Sequence, residues 1–357
     1  MTPTHGLTFG TLYNTRQNNF NLLRLVLATL VVLSHSFPVL WPPSRPFEPL
    51  SFLSRGHFTF GTLSVNAFLV ISGFLIAASW EHSRSVWDFA RRRILRVVPG
   101  YAVCVLVCAF VVGPLSNGNT ADYFARLRTY SPFAVLTLQS LPGVFPHNAF
   151  FGAMNVALWT VRYEMYCYVL LALWGLVTGL RRSFVLAGFL FCYLGYNVAV
   201  PLYESRFGVH EGILGGEFLP RLATYFFAGA VAWAYRDRIP LTLRHTLFFA
   251  IVLALGLQVL PHWLVPVGGT YCLLALAFSR RFQAYDFGKR VDLSYGVYLY
   301  AFPLQQLFAQ WFGSRLHPVT LFLCVMPPLL LMAWGSWSWI EHPFLQFKQT
   351  RREPKTA

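Results

Sequence analysis

An arginine and a histidine, Arg24 and His35, lie eleven residues apart inside the first long apolar segment, residues 20–40. At about 3.6 residues per helical turn, both side chains would project from one helix face, about 16 Å apart along its axis. A guanidinium near one membrane surface can bind an anion, and an imidazole deeper in the bilayer can accept a proton. Because ionisable groups in a bilayer are costly, the pair predicts a functional site; an interfacial arginine and a structural histidine are the alternatives.

A carboxylate lies at comparable depth in a later apolar segment, residues 154–180. Glu164 is about nine residues from the outer end of that segment. A buried carboxylate needs a partner or becomes protonated, and Arg162, two residues away, points elsewhere on the helix. We therefore predict that Glu164 either orients His35 or holds a substrate hydroxyl, with a structural hydrogen bond between helices as the alternative.

Four arginines fall within six residues at the start of the third apolar segment: Arg91, Arg92, Arg93 and Arg96. Arginine presents paired N–H donors that suit phosphate oxygens, so the cluster could bind a polyanionic ligand. A topology anchor for anionic lipid is the alternative. In the second segment, the Ser72-Gly73 pair would allow another backbone to approach closely.

The composition is that of an integral membrane protein. Of 357 residues, 56% are hydrophobic, 17% are aromatic and only 11% are charged, against about 25% charged in soluble domains. A mean hydropathy of +0.51 argues against an ordinary soluble enzyme. The net charge of +15 comes from short basic clusters between apolar runs, which favours membrane-surface loops over a nucleic-acid site. The six cysteines lie inside apolar runs without zinc-type spacing, so no metal is expected.

Ten apolar segments are long enough to cross a hydrocarbon core of ~30 Å as helices. They are residues 20–40, 58–79, 95–115, 154–180, 183–203, 219–235, 241–260, 262–279, 292–312 and 317–340. We therefore predict an all-α integral membrane protein with about ten transmembrane helices. Its predicted parts are a cytoplasmic segment (1–19), a transmembrane domain (20–343) and a basic cytoplasmic tail (344–357).

The basic residues alternate from loop to loop. With the N-terminus in the cytoplasm, 18 of the 28 Lys and Arg residues fall in inside segments, 6 in outside segments and 4 in or beside spans. Cytoplasmic loops of membrane proteins carry such an excess. The pattern predicts that both termini are cytoplasmic.

Five motifs occur in the order known from the acyltransferase-3 family of integral-membrane O-acyltransferases, which the chain resembles over most of its length. They are Asn21-Leu22-Leu23-Arg24 with His35; Val65 to Leu75 around Ser72-Gly73-Phe74; Arg93, Arg96, Pro99 and Tyr101; Trp159, Glu164 and Tyr168; and Ser294-Tyr295-Gly296-Val297-Tyr298 up to Pro303. One position departs from many relatives, which carry a histidine where this chain has Ala301. Gln305 and Gln306 are candidates to replace it.

The resemblance implies transfer of an acyl group, expected to be acetyl, from acyl-CoA to a hydroxyl of a cell-surface glycan or lipid-linked sugar. It implies a multi-pass protein of the bacterial inner membrane, with membrane lipids and the carbohydrate acceptor as partners and no nucleic acid. A separate periplasmic protein that completes the transfer is left open. The expected catalytic residues are His35, Glu164 and Arg24; the expected donor-binding residues are Arg91, Arg92, Arg93, Arg96, Ser72, Gly73 and Phe74; the expected acceptor-binding residues are Trp159, Tyr168, Tyr295 and Tyr298.

Within this expectation, neutral His35 takes the proton from the acceptor hydroxyl as the oxygen attacks the thioester. Direct transfer and a route through an acyl-histidine are both open. Two other functions are alternatives. A transporter or flippase also places ionisable groups at mid-depth, although the chain shows no internal repeat. A structural subunit of a glycan-synthesis complex would not need His35.

Overall fold

The computed structural model describes residues 7–15, 17–41, 48–207, 218–279, 287–288, 291–313 and 316–346. Within them the regular secondary structure is helical, and turns, loops and two isolated β-bridges join the helices. The helices are α1 (Phe9–Asn14), α2 (Phe20–Leu40), α3 (Pro49–Leu53), α4 (Phe60–Glu81), α5 (Val86–Val107), α6 (Gly113–Asn117), α7 (Thr120–Thr129), α8 (Pro132–Thr137), α9 (Trp159–Thr178), α10 (Arg182–Leu194), α11 (Val200–Phe207), α12 (Phe218–Ala234), α13 (Leu243–Gln258), α14 (Pro261–Ala277), α15 (Ser294–Phe312), α16 (Pro318–Ser336) and α17 (His342–Gln346). Most of the predicted basic tail, residues 347–357, lies outside the described residues.

Each of the ten predicted segments coincides with a helix, and six helical stretches in the described residues are long and apolar enough to cross a membrane. These six are Phe20–Leu40, Phe60–Glu81, Val86–Ser116, Val156–Thr178, Arg182–Tyr203 and Pro318–Gln346. They make the chain an all-helical, multi-pass membrane protein. Helices α12 to α15 are shorter or more polar, so ten crossings and the orientation of the termini stay predictions.

Local sequence sets where the helices beside the site begin. The Thr59 hydroxyl accepts a hydrogen bond from the Thr62 N–H at 3.0 Å and caps α4. The Ser85 hydroxyl caps α5 in the same way, accepting from the Asp88 N–H at 3.1 Å. These caps pair N–H groups that the first turn of a helix leaves without a partner.

Two glycines bring α4 and α12 into close contact. A Cβ atom on Gly73 would overlap the carbonyl oxygen of Phe226, and one on Gly229 would overlap that of Val70. Phe74, next to Gly73, is fully buried among aromatic rings, including that of Trp233 at 5.3 Å. Both residues therefore serve helix packing, and the donor-binding role expected for them stays a prediction.

Helix α2 lies between two hydrophobic clusters. Its Leu27 and Val31 belong to a cluster formed largely by α4, α9, α12 and α14. Its Ala28 and Val32 belong to a second cluster, formed largely by α5, α15, α16 and the loop before α9. The remaining faces of α2 are therefore available to line a site between the clusters.

The segment before α2 also contacts the core. Phe9 of α1 is buried against Tyr271 and Phe278, with ring centroids at 5.5 and 5.6 Å. The Gly10 N–H donates to the Arg236 carbonyl at 3.0 Å. Residues 7–15 thus pack on the helical bundle rather than extending from it.

Candidate active site

A cavity of about 310 Å³ lies among α2, α4, α5, α9 and α15, and we call it the arginine cavity. Its polar lining residues are Arg24, Arg92, Arg93, Arg96, Ser72, Thr160, Glu164, Tyr168, Asp292, Ser294, Tyr295 and Tyr298. Four guanidiniums face two carboxylates there, so the lining carries net positive charge. Such a lining suits a ligand with several negative charges.

Asp292 links two of these arginines. Its Oδ2 atom lies 2.6 Å from Arg96 Nη2 and 3.5 Å from Arg24 Nη1. Its Oδ1 atom accepts from the backbone N–H and hydroxyl of Ser294, at 3.1 and 2.6 Å. The guanidiniums of Arg96 and Arg24 offset the cost of burying this charged carboxylate. One ionised carboxylate therefore joins α2, α5 and the start of α15.

The other arginines of the cluster differ in position. Arg92 pairs with Asp88 one turn earlier, at 2.5 Å. Arg93 donates to the Ser79 hydroxyl at 3.3 Å, and its Nε–H is buried without a hydrogen-bond partner in the described residues. Arg91 is not among the residues that line the cavity. Arg93 thus offers a ligand an unused donor, and Arg91 has no such position.

Glu164 is held by α4 and by its own helix. Its Oε1 atom accepts hydrogen bonds from the Ser72 hydroxyl at 2.6 Å and the Tyr168 hydroxyl at 2.5 Å. All three side chains line the arginine cavity, whereas His35 lines a different one. The predicted pairing of Glu164 with His35 is therefore not found. Helix α9 places the Glu164 carboxylate at the arginine cavity, and α2 places the His35 imidazole at the histidine cavity.

A second cavity, of about 400 Å³, contains His35, and we call it the histidine cavity. Its polar and aromatic lining residues are Ser34, His35, Phe37, Trp41, Glu48, Ser51, Thr59, Thr62, Trp159, Thr160, Arg221 and Tyr298. Hydroxyls, two indoles, an acid and a guanidinium surround the imidazole. Such a mixture of aromatic rings and hydrogen-bonding groups is typical of sites for polar organic ligands.

The His35 ring is half-buried at the wall of this cavity. It meets the Phe302 ring edge to face, at 5.4 Å between centroids. Its Nδ1 atom is buried and has no hydrogen-bond partner in the described residues. The ring is thus positioned by packing, and the part of it that remains exposed borders the histidine cavity.

Glu48 supplies the acid of the histidine cavity. Its Oε2 atom accepts from the Ser34 hydroxyl at 2.7 Å, and its Oε1 atom accepts from the Phe60 N–H at the start of α4. Burial raises the pKa of Glu48, and these two hydrogen bonds oppose the shift. The carboxyl ties the segment before α3 to α2 and α4, and so closes one side of the cavity.

Three residues line both cavities: Val65, Thr160 and Tyr298. The Tyr298 hydroxyl donates to the Ala157 carbonyl at 2.7 Å. The Thr160 hydroxyl lies 3.2 Å from the same carbonyl and also forms a hydrogen bond with the Tyr298 hydroxyl. The cavities are therefore neighbours that a few ordered side chains separate.

Comparison with known proteins shows the family of the chain. Residues 17–338 match the acyltransferase-3 family, which is described as an acyltransferase domain. The chain belongs to this family. It is 26% identical to an O-acetyl transferase of Shigella phage Sf6, over 96% of this chain and 99% of that one. No solved structure matches the chain.

Two rhizobial proteins are similar over most of their length. Nodulation protein 10 of Rhizobium leguminosarum bv. viciae is 25% identical, over 93% of this chain and 94% of that one. The exopolysaccharide production protein ExoZ of Rhizobium meliloti is 26% identical, over 83% of this chain and 93% of that one. With the family match, these similarities identify the chain as an O-acyltransferase.

The remaining motif residues of this acyltransferase divide between the cavities. Trp159 lines the histidine cavity and packs on Phe218, at 4.8 Å between ring centroids. Tyr295 lines the arginine cavity and donates to the Val97 carbonyl at 2.8 Å. The four residues expected to bind the acceptor are thus spread over both cavities, with Tyr168 and Tyr295 on the arginine side only.

Neither glutamine proposed to replace the missing histidine lines the arginine cavity or the histidine cavity. Gln305 donates to the Val32 carbonyl and the Ser36 hydroxyl, each at 2.7 Å. Gln306 donates to the carbonyls of the loop before α9. Both residues therefore hold α15 against its neighbours.

Sequence reasoning missed Asp292, Glu48 and Arg221. The chain has only 13 acidic residues, so an acid at the start of an apolar segment, such as Asp292, was a usable signal. Glu48 gave no such signal, because it lies in a polar connection far from any motif. Arg221 was visible as a cation within a predicted span, but only the fold shows that it shares a cavity with His35.

Proposed function

We propose that this acyltransferase moves an acyl group, expected to be acetyl, from acyl-CoA in the arginine cavity to a hydroxyl of a surface glycan or lipid-linked sugar in the histidine cavity. The observation that carries the proposal is the contact between the two cavities. One is rich in guanidinium groups, the other contains an imidazole, and three lining residues are common to both. Donor and acceptor can therefore meet without sharing one binding surface.

The positive charge of the arginine cavity supports its assignment to the acyl-CoA donor. Coenzyme A carries several phosphate charges on one end and a thioester on a long, mostly uncharged arm. Arg92, Arg93 and Arg96 lie in the N-terminal half of α5 and suit the phosphates. Arg24 and the hydrogen-bonded group of Ser72, Glu164 and Tyr168 lie along the path that the arm would take towards Tyr298.

In the proposed reaction, His35 is the base that accepts the proton of the acceptor hydroxyl. Neutral His35 accepts the hydrogen of the acceptor hydroxyl while that oxygen forms a bond to the thioester carbonyl carbon. The carbon–sulfur bond then breaks, and the CoA thiolate takes up the proton as the products separate. Glu164 and Arg24 act on the donor side in this scheme, because the structure separates Glu164 from the imidazole.

The membrane arrangement belongs to the same proposal. Ten helices cross the bacterial inner membrane, within a transmembrane domain of residues 20–343 between cytoplasmic segments 1–19 and 344–357. This orientation turns the arginine end of α5 towards the cytoplasm, where acyl-CoA is made. A carbohydrate acceptor is supported by the similarity to ExoZ, an exopolysaccharide production protein.

The test uses purified chain in detergent, acetyl-labelled acetyl-CoA, and surface polysaccharide of the native cell from which O-acyl groups have been removed by mild base. We expect label on the glycan with wild-type protein and at least about 100-fold less with His35→Gln, because general-base catalysis contributes about 10²–10⁴-fold. The matched control is His147→Gln, since His147 is exposed and lines neither cavity among the described residues.

Each other outcome has a clear meaning. Transfer that requires sealed vesicles and a gradient would identify a transporter. Undiminished transfer by His35→Gln would contradict the assigned chemistry. Transfer by the purified chain alone would remove the need for a separate periplasmic partner, and labelled His35 in quenched protein would favour the acyl-histidine route over direct transfer.

A further inference from the structure

Three side chains, from α4, α9 and α15, form the boundary between the arginine and histidine cavities. Val65 and Thr160 are 9% and 5% exposed, and Tyr298 is half-buried. No other described residue lines both cavities. A group that passes from one cavity to the other must therefore pass Val65, Thr160 and Tyr298.

The boundary is held in place by packing and hydrogen bonds. The Tyr298 ring meets Phe68 edge to face at 6.1 Å, and its hydroxyl is fixed by the Ala157 carbonyl at 2.7 Å. The Thr160 hydroxyl bonds to the Tyr298 oxygen. Valine has one strongly preferred rotamer in a helix, and hydrogen bonds to the Ala157 carbonyl and the Tyr298 hydroxyl hold the Thr160 side chain. All three boundary side chains are therefore restrained.

We infer that Val65, Thr160 and Tyr298 set the size of the acyl group that this enzyme transfers. The inference rests on the proposed function, in which the thioester enters from the arginine cavity and the hydroxyl from the histidine cavity. An acetyl group presents one methyl group to the boundary, and each added methylene must be accommodated there. A tight apolar site discriminates by about 10–200-fold per methylene.

Shortening the side chains at the boundary should therefore weaken the preference for acetyl over longer acyl groups. Val65→Ala removes two carbons from one wall, and Thr160→Ser removes one methyl group while keeping the hydroxyl that bonds to Tyr298. The matched controls lie in the core away from both cavities: Val105→Ala, with Val105 7% exposed, and Thr270→Ser, with Thr270 8% exposed.

The experiment compares acetyl-, propionyl- and butyryl-CoA with de-O-acylated native glycan, and mass spectrometry counts the acyl groups transferred. Butyryl has two more methylenes than acetyl, so we expect wild-type protein to prefer acetyl over butyryl by about 100-fold or more. Val65→Ala should raise the propionyl-to-acetyl ratio several-fold, and Thr160→Ser should raise it less. Both controls should retain the wild-type ratio. Size-exclusion profiles and melting temperatures of all variants establish that folded proteins are compared.

Failure of this inference and failure of the proposed function give different results. Wild-type protein that transfers no acyl group from any donor would overturn both. Wild-type protein that transfers butyryl as fast as acetyl would overturn the inference alone. An unchanged ratio in Thr160→Ser and Val65→Ala, or an equal change in Val105→Ala, would also overturn it. If Val65→Ala does not fold, Thr160→Ser and its control decide the question.

Discussion

The guanidinium of Arg96 lies 2.6 Å from the carboxylate of Asp292, which also lies 3.5 Å from Arg24. The carboxylate is nearly buried, and the two arginines come from different helices. Without it, two guanidiniums would face each other across a site with little water to screen them. Asp292 thus acts as a positioning residue for the arginine cavity.

Asp292→Asn should weaken both donor binding and stability. The loss of one partner from a buried ion pair costs about 3–5 kcal/mol, so we expect a clear drop in melting temperature together with a higher KM for acetyl-CoA. The control is Asp237→Asn, because Asp237 is exposed and its contact with Arg182 is 3.5 Å long. An unchanged melting temperature together with an unchanged KM for acetyl-CoA in Asp292→Asn would contradict this positioning role.

Two neighbouring arginines should differ in their effect on the donor. Arg93 lines the arginine cavity and has an unused buried N–H, whereas Arg91 does not line it. Arg93→Gln should raise the KM for acetyl-CoA about tenfold or more, because a hydrogen bond to a charged group contributes about 1.5–3 kcal/mol. Arg91→Gln should change it little. Steady-state kinetics in detergent measure both, and equal effects would favour a general electrostatic role for the cluster.

Glu164 should act independently of the imidazole. Glu164→Ala leaves the hydroxyls of Ser72 and Tyr168 without their acceptor and should lower kcat/KM about tenfold or more. Glu164→Gln keeps an acceptor oxygen and should lose less. The pH–rate profile should keep its midpoint in both variants, since Glu164 and His35 line different cavities. A shifted midpoint would restore the pairing predicted from sequence.

Gly73→Ala tests whether Gly73 serves packing or the donor. The added methyl group would overlap the Phe226 carbonyl and separate α4 from α12. We expect poor expression and a melting temperature lowered by several degrees, because overpacking costs about 1–3 kcal/mol. In any folded fraction, the KM for acetyl-CoA should be normal. Gly195→Ala is the control, because a Cβ there has open space around it.

Features that lie within one helix, such as its position in the chain and its motif residues, could largely be predicted from the sequence. Each predicted apolar segment is a helix, because the length and continuity of an apolar run depend on neighbouring residues alone. Arg24 and His35 each line a cavity, as residues on one face of a regular helix can. The ordered motifs identified the family for the same reason, since each motif is a local pattern.

Relationships between helices needed the tertiary structure. How far each helix is rotated about its axis, and how deep it sits against its neighbours, depends on side-chain packing across the whole bundle. This is why Glu164 bonds to Ser72 and Tyr168 rather than to His35, and why Gly73 lies against the backbone of α12. Residue types and spacing alone indicated the motif side chains that could do chemistry, but not that Glu48 and Arg221 would share a cavity with His35. Packing between helices decided which of them share a cavity, because rotation and depth are not encoded in any single segment.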